Sequence, residues 1–143
     1  GIAMERRLEE DVFAVAGVKY VMVLIGINDI LTGNATSAGL IAAHERVAGV
    51  LNGAGLVTIG GLMLPCARHR KWTAEKEAVR KEVNDWVKKS GVYHHVVDFE
   101  KAVWKEGSEP MIIKEEWSED GLHPNDEGYK AMAKAVDVVK FFK

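Results

Sequence analysis

Apolar residues recur along the chain with two different spacings, and these spacings predict its secondary structure. Three β-rich apolar runs have the length and composition of strands, namely residues 18–25, 55–64 and 93–99. The first two are almost unbroken and lie between glycines, which predicts strands buried on both faces. Elsewhere, apolar residues three and four apart predict amphipathic helices over residues 5–15, 37–52, 73–89 and 124–140.

This alternation of helices and strands predicts the architecture. Parallel strands joined by helices form an α/β fold, and right-handed crossovers place helices on both faces of the sheet. We therefore expect one domain over residues 1–143, a three-layer α/β/α arrangement around a parallel sheet. Three strands are few for such a sheet.

Residues with known positional preferences predict the helix ends. Thr73 and Ser37 are expected to cap their helices, and Pro124 suits the first position of the last one. In the helix over residues 37–52, the side chains expected to face inward are Ile41, Val47, Val50 and Leu51.

Composition and charge exclude several classes of partner. Hydrophobic residues make up 48% and charged residues 28%, and the formal net charge is -2. Neither nucleic acid nor an anionic membrane surface is an expected partner of such a chain. No apolar run reaches the roughly 18 residues that a membrane span needs. A cytoplasmic and a secreted location both remain open.

One motif with chemical potential follows the first predicted strand. It reads Gly26-Ile27-Asn28-Asp29. Ligands of open parallel sheets bind outside the carboxyl ends of the strands, so the Asn28 amide could donate to a developing oxyanion there. An Asn-Asp pair is also common in plain turns.

A second motif lies near the C-terminus and reads Asp120-Gly121-Leu122-His123-Pro124-Asn125. An Asp three residues before a His can hold the imidazole in one tautomer, which leaves the other ring nitrogen free to act as a general base. Taken alone, the same residues also suit a solvated loop.

Together the two motifs resemble the SGNH/GDSL hydrolase family of lysophospholipase-like esterases. The similarity extends through Gly128-Tyr129 and Met132-Ala133, and through the intervening segments 60–65, 80–86 and 97–99. It implies a flavodoxin-like fold and hydrolysis of a small-molecule acyl ester without a cofactor. It also implies that Asn28 is an oxyanion donor, His123 the base and Asp120 its orienting partner, with Gly26 and Asp29 supporting the loop.

The family's nucleophilic Ser, in a Gly-Asp-Ser block, and its Gly block have no counterpart here. None of the four serines is predicted to lie at a sharp strand-to-helix turn, where a substitute nucleophile would be expected: Ser37, Ser90, Ser108 and Ser118. The resemblance therefore implies that the first strand and its Ser lie upstream of residue 1. Without that Ser, the chain alone is expected to be almost inactive. The alternative is an inactive, truncated or binding-only derivative of the fold.

Other reactive residues have simpler interpretations. Cys66 is expected to be a buried structural thiol. The adjacent His94 and His95 would point to opposite faces of a strand, so we expect no metal site. A nucleotide- or flavin-binding domain is disfavoured because no Gly-x-Gly-x-x-Gly or P-loop is present.

The strand that runs from Val18 to Ile25 has a further implication. In the strand order 2-1-3-4-5 it would neighbour the first strand, which lies outside this sequence. Its apolar edge would then be open, which predicts self-association or pairing with an upstream fragment.

Overall fold

A computed structural model of the chain describes residues 3–33 and 35–142. Three parallel strands form its sheet in the order β1-β2-β3: β1 (Tyr20–Val23), β2 (Val57–Gly61) and β3 (His95–Val97). In register, Val21 lies beside Thr58, and Gly60 lies beside Val96. The predicted strands are confirmed, although each is shorter than its apolar run.

Seven α-helices surround the sheet in the described residues. They are α1 (Met4–Leu8), α2 (Ile27–Thr32), α3 (Ser37–Gly53), α4 (Ala74–Lys89), α5 (Phe99–Val103), α6 (Asp126–Lys134) and α7 (Val138–Phe141). A π-helical turn (Glu9–Phe13) continues α1, and a 3-10 turn (Glu115–Trp117) precedes the second motif.

Two hydrophobic cores lie on opposite faces of the sheet. The first joins Val21 and Val23 of β1 to residues of α3 and α4, such as Val47 and Val83. The second joins β2 and β3 to α5, α6 and α7, and contains residues such as Ile59, Val97, Val103, Met132 and Phe141. The expected three-layer α/β/α arrangement is confirmed.

The prediction that β1 is buried on both faces is wrong. Val23 is fully buried, but Met22 is 39% exposed and Leu24, just beyond the strand, is 40% exposed. The helices α5, α6 and α7 pack mainly over β2 and β3 and leave this face of β1 partly open. An apolar run alone does not reveal that one of its faces lacks cover.

One predicted capping residue and one predicted helix start differ from the structure, whereas α3 begins at Ser37 as predicted. The side chain of Thr36, and not of Ser37, accepts the Gly39 N–H at 3.2 Å and caps α3. Helix α6 begins at Asp126 and not at Pro124, and Asn125 caps it by accepting the N–H of Gly128 at 3.2 Å. Pro124 therefore lies outside the helix, and Thr73 caps α4 as predicted.

Three helical details were also not predicted. The prediction that Val50 faces inward is wrong, since Val50 is 52% exposed; the buried stripe of α3 comprises Leu40, His44, Val47, Ala48 and Leu51. The last predicted helix is interrupted between α6 and α7, where Asp137 caps the second piece by accepting the Lys140 N–H. The short helices α2 and α5 lie outside the predicted helices, since five or six residues carry too little periodicity.

Candidate active site

A pocket of about 210 Å³ opens at the carboxyl end of the sheet. Segments after β1 and β2, the loop before α6, and α6 itself supply its walls. The lining residues are Leu24, Ile25, Ile27, Asn28, Met63, Leu64, Leu122, His123, Pro124, Tyr129 and Met132. The pocket thus brings together Asn28 and His123, which lie 95 positions apart in the sequence, within a mainly apolar wall.

The turn after β1 presents Asn28. Gly26 begins this turn with φ of 108°, a conformation that side chains with a Cβ rarely adopt, and it is buried. The chain then enters α2, where Asn28 is exposed in the first turn. The backbone carbonyl of Asp29 accepts the N–H groups of Gly33 at 3.1 Å and Ala35 at 3.4 Å. Asp29 thus contributes to the loop through its backbone.

The loop before α6 brings Asp120 and His123 into direct contact. Oδ2 of Asp120 lies 2.6 Å from Nδ1 of His123. The other carboxylate oxygen, Oδ1, accepts the backbone N–H groups of His123 at 2.8 Å and Leu122 at 2.9 Å. The His123 side chain is 71% exposed, so its remaining face is accessible from the pocket and from solvent.

These contacts define the charge of Asp120. The backbone and side-chain hydrogen bonds from His123, outweighing partial desolvation, hold the pKa of the Asp120 carboxyl well below its usual range. A carboxylate only accepts hydrogen bonds, so Nδ1 of the neutral imidazole carries the proton. Nε2 then has a free lone pair, as a general base requires.

A neighbouring loop supports the Asp120–His123 loop. Arg68 donates from Nη1 to the backbone carbonyl of Ser118 at 3.1 Å. Gly121, with φ of 74°, lies directly against the backbone of Arg68 and His69. Arg68 and His69 therefore support the loop that carries Asp120 and His123.

The described contacts of the four serines do not include the imidazole of His123. Ser37 and Ser90 lie at helix ends, and Ser108 accepts hydrogen bonds from Trp104 and Ile112. Ser118 is buried, and its hydroxyl lies 3.4 Å from Oδ1 of Asp120, which is the oxygen facing away from the ring nitrogen. No serine hydroxyl is bonded to His123 in the described part of the chain.

Cys66 is buried as expected and packs against Leu31 and Leu122. Burial raises the pKa of its thiol to about 11. The thiol is therefore neutral near pH 7, and a neutral thiol is a poor nucleophile.

The sequence interpretation missed several residues of the pocket. Met63, Tyr129 and Met132 line it, and none of them was predicted to do so. The backbone of Met63 is held by Arg80 and Asn84 of α4. A signal for this was present, because these two polar residues lie four apart on the apolar stripe that includes Val83 and Val87.

Within residues 3–33 and 35–142, no three His, Cys, Asp or Glu side chains come together in a way that could hold a metal ion. In the same residues, no helix is both long and apolar enough to cross a membrane.

Several solved structures share this fold. A protein from Bacteroides fragilis described as an acylhydrolase is 21% identical, with a TM-score of 0.79, and the match covers 94% of this chain and 66% of that one. A GDSL-like lipase from Bacteroides thetaiotaomicron is 19% identical with a TM-score of 0.76, covering 94% of this chain and 67% of that one.

A catalytic mutant of an acetylxylan esterase from Geobacillus stearothermophilus is 18% identical with a TM-score of 0.62. That match covers 92% of this chain and 63% of the esterase. The chain thus spans about two thirds of the length of these relatives. No match is found among curated proteins.

At the level of sequence, residues 2–131 match the GDSL-like lipase/acylhydrolase family. This match covers most of the chain, and it includes both motifs that meet at the pocket. The chain belongs to the GDSL-like lipase/acylhydrolase family.

Proposed function

We propose that this chain provides the base, the orienting carboxylate and an oxyanion donor of an ester hydrolase with a serine nucleophile. The contact of 2.6 Å between Asp120 and His123, at a pocket that Asn28 also lines, is the observation that supports this most directly. The family membership supports the same reaction class.

In this proposal, Nε2 of His123 accepts the proton of the serine hydroxyl as its oxygen attacks the acyl carbon. Asp120 stabilises the imidazolium that results, and the side-chain amide of Asn28 donates to the oxyanion of the tetrahedral intermediate. His123 then returns the proton to the leaving alcohol. Water, activated by the same imidazole, releases the acid and regenerates the serine.

The serine itself is proposed to come from a segment that precedes Gly1. Two observations support this part of the proposal. The serine hydroxyls described above contact neither the imidazole nor Asn28, and the chain spans about two thirds of its structural relatives. In this proposal, residues 1–143 form a part of one SGNH hydrolase domain.

The volume and the apolar walls of the pocket indicate which substrates to test first. Its walls are mainly apolar and its volume is about 210 Å³, which suits a short acyl group better than a long chain. We propose a small-molecule acyl ester as the substrate. An esterase acting on acetylated xylan among the similar folds makes acetyl esters a sensible first assay.

The test is hydrolysis of p-nitrophenyl esters from acetate to octanoate by two proteins, this chain and the product of the same gene extended upstream of Gly1. We expect background rates from the chain alone, because loss of the nucleophile in a triad hydrolase costs about 10⁶-fold in turnover. We expect hydrolysis by the extended protein, which Asp120→Asn lowers about 10⁴-fold and Asn28→Ala about 10²–10³-fold.

His95→Ala is the matched control, because His95 stacks on Phe141 in the second core, away from the pocket. The extended protein with His95→Ala should hydrolyse the esters at the same rate as the extended protein without a substitution. Hydrolysis by the chain alone that His123→Ala abolishes would contradict an external serine. An upstream sequence without a Gly-Asp-Ser, together with inactivity on every ester, would contradict the hydrolase proposal.

A second candidate is a binding-only derivative of the fold. The observation in its favour is that no hydroxyl contacts the imidazole in the described residues. This candidate expects saturable binding of a short-chain ester at the pocket, measured by NMR, with no turnover in the extended protein.

A further inference from the structure

A buried charged cluster lies beneath the pocket. Arg80 of α4 is fully buried and is paired with two carboxylates, Glu77 and Glu100. Its Nε and Nη2 donate to Glu77 at 2.9 and 2.6 Å, and its Nη1 donates to Glu100 at 2.5 Å. Burial alone would lower the pKa of Arg80, but these carboxylates outweigh that effect and raise it.

The buried cluster makes hydrogen bonds to the backbone of Met63, a residue of the pocket wall. Asn84 accepts the Met63 N–H with Oδ1 at 2.9 Å and donates from Nδ2 to the Met63 carbonyl at 2.9 Å. Nη1 of Arg80 donates to the same carbonyl at 2.9 Å. Nδ2 of Asn84 also donates to Glu100 at 3.1 Å, which fixes the orientation of the amide. The N–H and the carbonyl of Met63 are thus both held by side chains.

The side chain of Met63 packs against the turn that presents Asn28. Met63 is only 2% exposed, and a Cβ atom built on Gly26 would lie 3.1 Å from its sulfur. The sulfur therefore rests directly against Gly26, two residues before Asn28. A chain of contacts runs from Asn84 through Met63 to Gly26 without a gap.

Stability alone does not explain this arrangement. A buried ion pair loses much of its Coulombic gain to desolvation, and apolar replacements of similar volume are often equally stable. What the polar cluster provides, and an apolar one would not, is a fixed orientation of the Met63 peptide groups. Such support makes the placement of a functional side chain accurate.

We propose that Asn84, together with Arg80, is a positioning residue for Asn28, acting through the backbone and the sulfur of Met63. The importance of this for turnover rests on the proposed function, whereas the positioning itself does not. The two parts can therefore be tested separately.

The positioning test uses the chain labelled with ¹⁵N and three variants. Asn84→Leu removes both bonds to Met63 at similar volume, and Met63→Leu removes the sulfur but leaves the backbone bonds. Val87→Ala is the matched control, because Val87 is equally buried one turn further along α4 and its side chain makes no hydrogen bond to the Met63 backbone, which is held by Asn84 and Arg80. Amide exchange and the side-chain NH₂ signals of Asn28 are measured in each.

In Asn84→Leu we expect the Met63 amide to exchange at least tenfold faster than in Val87→Ala, after correction for global stability. We expect the Asn28 NH₂ signals to shift in both Asn84→Leu and Met63→Leu, while the Met63 amide stays protected in Met63→Leu. The His123 signals should stay in place, because Asp120 and not Met63 holds that ring.

Unmoved Asn28 signals in Met63→Leu would overturn the proposal, even if Asn84→Leu failed to fold. Equal effects of Asn84→Leu and Val87→Ala on Asn28 would also overturn it. In the serine-bearing protein, Met63→Leu should lower kcat several-fold with little change in KM. If the Asn28 signals shift but kcat is unchanged, Met63 positions Asn28 as proposed, but this positioning is not important for turnover.

Discussion

The backbone of Gly121 lies so close to Arg68 that a Cβ atom on residue 121 would be 2.5 Å from the Cβ of Arg68 and 2.8 Å from its carbonyl carbon. Gly121 also has φ of 74°. We therefore expect Gly121→Ala to lower the free energy of unfolding by about 2–4 kcal/mol, from a left-handed backbone plus overpacking. Urea unfolding measures this loss.

Gly91→Ala separates the two causes. Gly91 has φ of 70° but no atom within 4 Å of a Cβ atom, so it carries only the conformational cost of about 1–2 kcal/mol. Equal losses in the two variants would show that the contact with Arg68 is unimportant. The Gly121 variant should also displace the His123 signals in NMR spectra, and the Gly91 variant should not.

The Asp120 carboxyl should titrate at unusually low pH. Backbone and side-chain hydrogen bonds from His123 hold its pKa well below the ordinary value of 3.8. Because the folded pKa is depressed, the associated stability is present above about pH 3.8 and is lost as pH falls towards the folded pKa. A ¹³C NMR titration of the Asp120 carboxyl carbon measures the midpoint directly.

The variant His123→Ala provides a comparison for that titration. It removes the ring nitrogen but keeps the backbone N–H groups of residues 122 and 123, so the midpoint should rise only part of the way towards 3.8. An ordinary midpoint in the parent chain would show that these hydrogen bonds are not formed in solution.

The sequence was sufficient to predict the three strands and the main helices, because their apolar periodicity is long and regular. It was insufficient for α2 and α5, which have six and five residues and are determined by the tertiary structure around them. It also predicted cover on both faces of β1, which depends on packing that no local pattern records.

For the site, local spacing predicted the contact between Asp120 and His123, because three residues in a loop bring such side chains within reach. The presence of Asn28 at the same pocket was expected from the family resemblance. Their support was not predicted, since the bonds from Asn84 to Met63 join residues 21 positions apart. Such long-range contacts need the fold itself.

A second pH effect should come from His44 in the first core. His44 is 1% exposed, with Nδ1 2.6 Å from the Tyr93 hydroxyl, and burial lowers its pKa below the ordinary value of 6.5. The unfolded chain then binds the proton more readily, so this contribution is complete above pH 6.5 and is lost as pH falls below it. The loss has a limit of about 1.4 kcal/mol per pH unit.

Urea unfolding between pH 5 and 8 tests this expectation. His44→Gln keeps a polar side chain near Tyr93 but does not titrate, so its stability should decline less steeply below pH 6.5 than that of the parent. Identical slopes for the two proteins would assign the acid sensitivity to other groups. NMR titration of the His44 ring is an independent check.

The edge strand β1 should make the isolated chain associate. It lies at the end of the sheet order, and Met22 within it and Leu24 just beyond it are 39% and 40% exposed. Open apolar edges favour pairing between chains, and a lysine on such a strand opposes it. Light scattering should therefore give a mass at least twice the 15.8 kDa of one chain, and Met22→Lys should shift it towards 15.8 kDa.

Val139→Lys is the matched control, because Val139 is 75% exposed on α7 and not on a strand, so a mass like that of the parent is expected. A parent chain that stays at 15.8 kDa at high concentration would contradict association through β1, and loss of association in both variants would assign it to general surface hydrophobicity.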